Sequence, residues 1–164
     1  GFKISSFKDY KVLNNKTIIL RHDVDYTLNG VLDIAEIEYE KGCTSTFLFR
    51  VHADEYNLFS CTTMAIINEL KKRAEIGLHF EAMNVGRALC IDAEKLLRKE
   101  KKLIELILGH EVLTCSEHRE LSCLIHKTQK FDELYNPYNL DSNFTHLFKL
   151  ETYVDKIFKN VELE

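Results

Sequence analysis

The chain has no tryptophan, one proline and six glycines among its 164 residues. No low-complexity stretch, internal repeat or Pro/Gly-rich linker divides it, so the expectation is one domain spanning residues 1–164. Its five cysteines (Cys43, Cys61, Cys90, Cys115, Cys123) are odd in number, widely spaced and contain no CxxC. That excludes a disulfide framework and a zinc knuckle, and it fits reduced thiols in a cytoplasmic protein. No apolar run approaches the roughly 20 residues that span a bilayer, and the opening GFKISSFKDY lacks the apolar core of a signal peptide. The formal net charge of -4 is mild and dispersed, which leaves neither a nucleic-acid footprint nor an acidic tail. Neither a nucleic-acid partner nor a membrane span is expected.

Core-forming material, by contrast, is ample. Hydrophobic residues make up 45 % of the chain, with ten phenylalanines and seven tyrosines, enough for a sizeable core and too much for a disordered chain. The most informative stretch is residues 17–26, TIILRHDVDY, where an apolar strand runs straight into two carboxylates and a histidine. Ile18, Ile19 and Leu20 read as a buried strand, with burial stopping where the charge begins. Alternate side chains of an extended segment share a face, so Asp23 and Asp25 point one way and His22 the other. Two like charges on one face need a metal ion, a nearby arginine or solvent at a strand end to stabilise them.

Strands and helices then alternate. Residues 28–41 place Leu28, Val31, Leu32, Ala35 and Tyr39 at helical spacing, and Gly42 stops that helix. Residues 44–51, TSTFLFRV, are β-branched and aromatic and predict a second strand, while Met64, Ile67, Leu70 and Ala74 mark a second helix. Residues 75–80, EIGLHF, predict a third strand. Residues 92–108 predict a third helix on Leu96, Leu97, Leu103, Ile104 and Ile107, capped by Gly109, and residues 111–119, EVLTCSEHR, a fourth strand. From residue 121 the pattern loosens, with a turn at Asn136-Pro137, a loop over 139–143 and a terminal helix predicted on Leu147, Leu150, Val154, Ile157, Phe158 and Val161. This order predicts an α/β fold with neighbouring parallel strands, either an open doubly wound sheet or part of a βα barrel.

Both architectures put chemistry at the carboxyl ends of strands. That rule selects Asp23 and Asp25 on strand one, His79 on strand three and His118 on strand four, with His52 in reserve. Carboxylate and imidazole ligands from separate strands, with an extra carboxylate beside them, are what hydrolytic metal catalysis needs: the ion acidifies a water and polarises the scissile carbonyl, and the extra carboxylate takes the proton. An Asp-x-Asp pair can equally cap a helix or bind magnesium weakly, and a lone strand-end histidine is usually structural. The residues alone leave these alternatives open. His22, on the opposite face, reads as packed or hydrogen-bonded behind the site.

The segments RHDVD, EIGLHF and SEHRE, in this order and with βα spacing, resemble the polysaccharide deacetylase superfamily (NodB-like, carbohydrate esterase family 4), and within it the WbmS-like group of surface-polysaccharide gene clusters. The resemblance covers about residues 17–120. It implies a deformed (β/α) barrel with one divalent metal held by an aspartate and two histidines, and a second aspartate as general base. Asp23 matches the base, Asp25 the metal aspartate displaced by one position, and His79 the first histidine of the second motif. The second histidine falls at Met83 and is absent, so His118 is the expected third ligand, with protonation of the leaving amine as its alternative role. Arg119 is expected to orient the base, with Arg21 able to do so from the same strand. Residues 121–164 offer fewer strands than a full barrel needs. The barrel is therefore expected to be incomplete, its edge covered by the terminal helix or by a second copy of the chain in a homo-oligomer, or the chain to be truncated on its C-terminal side.

The activity this implies is removal of an acyl group from an acylated amino sugar or sugar nucleotide in surface-polysaccharide or glycan synthesis. Zinc is the default ion, with cobalt, manganese and iron as alternatives. Two rivals stand beside it: a catalytically inactive relative that binds a glycan or protein partner, and a magnesium-binding phosphoacceptor domain. The latter would want a strand-end lysine and a serine or threonine near the acidic pair, and no clear pair is visible. No residue is singled out for substrate binding.

Overall fold

Six strands and four α-helices are found in residues 3–12 and 17–118, the residues described by the computed structural model. In chain order they are β1 (Lys3–Ser5), a 3-10 turn (Phe7–Val12), β2 (Thr17–Ile19), β3 (Arg21–Val24), α1 (Val31–Glu40), β4 (Thr46–Phe49), α2 (Cys61–Leu70), β5 (Glu75–Phe80), α3 (Ala82–Leu89), α4 (Ala93–Leu108) and β6 (Cys115–Glu117). β1 pairs with β2, while β3, β4, β5 and β6 form one sheet in that order, every neighbouring pair parallel. A doubly wound sheet reverses its strand order at a switch point, whereas a βα barrel adds strands in sequence. The described residues contain no reversal, and their main sheet is a curled parallel half-barrel.

The curl follows from two contacts. In a flat sheet β3 and β6, three strand spacings apart, would lie about 14 Å from each other. Yet Arg21 on β3 reaches Ser116 Oγ on β6 at 3.1 Å, and Asp25, just past β3, lies 3.7 Å from His118, just past β6. Only a concave sheet permits both.

Strand alternation puts Arg21, Asp23, Thr46, Leu48, Glu75, Gly77, His79 and Ser116 on the concave face. At its amino-terminal end the Glu75 carboxylate accepts from the Thr46 and Thr114 hydroxyls and from the Lys8 N–H. Leu48 and Gly77 form the layer above. A Cβ on Gly77 would meet Leu48 Cδ2 at 2.5 Å and Thr114 O at 2.7 Å, so only glycine lets β6 approach β5 this closely. The convex face carries Val24, Phe47, Phe49, Ile76, Leu78, Phe80 and Cys115, buried under Val31 and Ala35 of α1, Ile67 and Leu70 of α2, and Leu96, Leu97, Ile104 and Leu108 of α4.

Several local expectations need correction. The strand predicted to run unbroken into Asp23 changes partner at Leu20, whose N–H donates to Ser5 O while its carbonyl accepts from Thr46 N. Ile18 in its first half is 48 % exposed, and the buried apolar residue is Val24, after the first aspartate. Tyr39, Met64 and Leu103, assigned to buried helix faces, are exposed, because the actual buried stripes run through Val31/Ala35, Thr63/Ile67/Leu70 and Leu96/Leu97/Ile104. Ala74 lies past the end of α2, and β6 is shorter than the strand predicted over 111–119. β1 and α3 come in addition to the predicted elements; the α3 sequence AMNVGRAL contains Asn84 and Gly86, both weak helix formers. The predicted third helix is α4, with Asp92 accepting from Lys95 N as its N-cap and Gly109 in the left-handed conformation at its end. Arg119, Cys123 and everything expected from residue 121 onward lie outside the described residues. No helix among the described residues is long and apolar enough to cross a membrane.

Candidate metal centre

The carboxyl ends of β3, β5 and β6 bring Asp25, His79 and His118 together, with one ligand atom from each lying within 4.8 Å of the others. Asp25 Oδ1 is 3.3 Å from His79 Nε2 and 3.7 Å from His118 Nε2. Donors about 2.1 Å from a tetrahedral ion lie about 3.4 Å apart, so these two separations suit one small divalent cation. Both rings are buried and meet edge to face, with centroids 5.1 Å apart.

The hydrogen bonds behind the rings decide what the rings present in front. His79 Nδ1 is 3.0 Å from the carbonyl oxygen of Ser116. A carbonyl can only accept, so a neutral His79 carries its proton on Nδ1 and turns the Nε2 lone pair toward Asp25. His118 is fixed in the same sense: its Nδ1 is 3.0 Å from Glu81 Oε1. Burial opposes ionisation of Glu81, but Arg50 and His118 outweigh it and hold its pKa below the ordinary glutamate range. Arg50 Nε donates to Glu81 Oε2 at 3.2 Å and Nη2 to Oε1 at 3.0 Å. Two lone pairs and a carboxylate oxygen therefore face one point. Asp25 Oδ1 is itself buried without a hydrogen-bond partner. Three convergent acceptors with no donor between them are costly unless a cation, or protons on the rings, occupies the point. The donor set thus fits a divalent metal.

When the rings are protonated, a hydrogen bond from His79 above all, with the charges of His118 and Arg50, holds Asp25 below the usual carboxylate range, against the burial that would raise it. Arg50 also donates through Nη1 to Asp25 O at 2.8 Å and to Glu55 Oε2 at 3.1 Å. Tyr56 completes the support. Its hydroxyl donates to Val24 O at 2.8 Å and accepts from Arg50 N at 2.9 Å, and burial pushes its pKa up to about 12, so it keeps its proton.

Asp23 shares the face of Asp25 but stands outside the ligand set, its Oδ2 3.7 Å from His79 Nε2. Arg21 Nη2 donates to that same oxygen at 2.6 Å. Arg21, on the carboxylate strand, thus makes the pairing expected first of Arg119, which lies outside the described residues.

Four predicted residues, Asp23, Asp25, His79 and His118, are therefore gathered in one place. His52 is not among them: it is exposed, with Nε2 3.3 Å from Glu100 Oε1. His22 lies on the helix-covered face as expected, 2.6 Å from Glu38 Oε1 and against the Phe47 ring. Arg50 and Glu81 were missed, although each directly follows an apolar strand, in FLFR and GLHFE. The strand-end rule covers both positions, but an arginine and a glutamate there read as ordinary surface charges. No family model matches the chain, and no curated protein matches it either.

Proposed function

We propose that the chain is a metal-dependent amide hydrolase that removes an acyl group from an acylamino sugar during surface-polysaccharide or glycan synthesis. The observation that carries the reading is the convergence of Asp25 Oδ1 with two imidazoles whose other nitrogens are tied to acceptors. A divalent ion held there, zinc by default and cobalt, manganese or iron(II) as alternatives, would polarise the scissile carbonyl and acidify the attacking water. Asp23 is the general base. It borders the ligand set without belonging to it and is partly exposed, and Arg21 anchors one of its oxygens. His118, backed by Glu81, supplies the imidazole that Met83 cannot. The acylamino sugar as substrate rests on the resemblance of RHDVD, EIGLHF and SEHRE to the polysaccharide deacetylase motifs.

The test is to strip the protein with chelator, reload it with each of the four ions, and follow amine release from a panel of N-acetylated sugars and sugar nucleotides. Release should require the ion, and Asp23→Asn should cut turnover by about 10² to 10⁴, the range for losing a positioned general base. A loaded wild-type protein that releases no amine from any member would overturn the hydrolase reading in favour of a binding domain.

A further inference from the structure

We propose that Glu81 is a positioning residue of this centre: it fixes the tautomer of His118 and, through Arg50, ties that ring to the backbone that carries Asp25. The proposal rests on reading the triad as a metal centre. Asp25 and His118 come from opposite edges of the four-stranded sheet, and the residues that join them come from the strands between. Arg50, following β4, is itself only 5 % exposed; it grips both oxygens of Glu81 and also donates to Asp25 O at 2.8 Å. Glu81, following β5, then accepts from His118 Nδ1 at 3.0 Å. A free histidine side chain favours its proton on Nε2, the nitrogen that must be bare to bind a cation. The carboxylate behind Nδ1 reverses that preference.

Glu81 Oε1 accepts from both Arg50 Nη2 and His118 Nδ1, so the amide oxygen of Glu81→Gln would keep that place, and Glu81→Leu is the variant that removes the acceptor at similar bulk. With nothing to accept behind Nδ1, the ring returns to its free preference. In ¹⁵N NMR of the metal-free protein, His118 should carry its proton on Nδ1 in wild type and on Nε2 in Glu81→Leu. Zinc affinity, measured by competition with a chromophoric chelator, should fall 10- to 100-fold, the usual cost of losing an acceptor behind a ligating histidine. Glu55→Gln removes another carboxylate from the same guanidinium and should change neither quantity. If Glu81→Leu does not fold, Glu81→Asp keeps a charge near Arg50 while drawing the oxygen back from His118, and it should weaken zinc binding as well. Wild-type affinity and an unchanged tautomer in the variant that folds would overturn the proposal. If wild type binds no metal, the metal-centre reading fails instead, and the tautomer comparison still decides the role of Glu81.

Discussion

Replacing Gly77 with alanine tests the close approach of β5 and β6 that lets the sheet curl. The added Cβ would lie 2.5 Å from Leu48 Cδ2 and 2.7 Å from Thr114 O, where ordinary contacts begin near 3.4 Å. Each neighbour would have to withdraw by most of an ångström. Leu48 has no solvent to move into, being fully buried, and Thr114 O already accepts from Leu78 N at 2.9 Å. Overpacking a filled interior costs about 1–3 kcal/mol, and a backbone oxygen as the obstacle puts this case at roughly 2–3 kcal/mol. At about 2–4 °C per kcal/mol for a chain of this size, the midpoint of thermal unfolding should drop by roughly 4–12 °C. Adding Leu48→Ala removes the softer of the two clashes, so the double variant should be about 1 kcal/mol more stable than the sum of the single costs. Urea and thermal unfolding of the four chains would show both effects. A Gly77→Ala protein as stable as wild type would refute the packing described between these strands.

Two further outcomes follow from the carboxylates. Burial raises the Glu100 carboxyl from an ordinary 4.5 to about 8. The folded state therefore holds this proton more tightly than the unfolded state, and the associated stability is complete below about pH 4.5 and lost as pH rises through 8. Glu100→Gln should flatten the decline between pH 5 and 8, by at most about 1.4 kcal/mol per pH unit, and equal slopes in urea unfolding of the two proteins would contradict it. Asp25→Ala should lower metal occupancy while Asp23→Asn retains the ion; elemental analysis of both showing the reverse would exchange the roles of base and ligand.

Much of this architecture was readable from residue order. The strand EIGLHF and the helix over 92–108 announce themselves, the first by an apolar run across a buried strand and the second by Asp92, Gly109 and a regular stripe. Period-two alternation also placed Asp23 and Asp25 together and His22 behind them. What could not be read was long-range. Nothing local in TIIL tells the chain to change partners at Leu20, because that break depends on where β1 and β4 lie. The role of Gly77 depends on a carbonyl 37 residues away at Thr114. The link through Arg50 and Glu81 escaped for a different reason: each looks like an ordinary surface charge until the sheet curls and sets Glu81 behind His118 and Arg50 behind Glu81.

The central claim is that Asp25, His79 and His118 hold one divalent ion, and elemental analysis of protein purified without chelator tests it most directly. The account predicts one ion per chain, removed by chelator and restored by zinc, with His118→Ala binding far more weakly. A wild-type chain that stays metal-free when titrated with zinc, cobalt, manganese and iron(II) would contradict it.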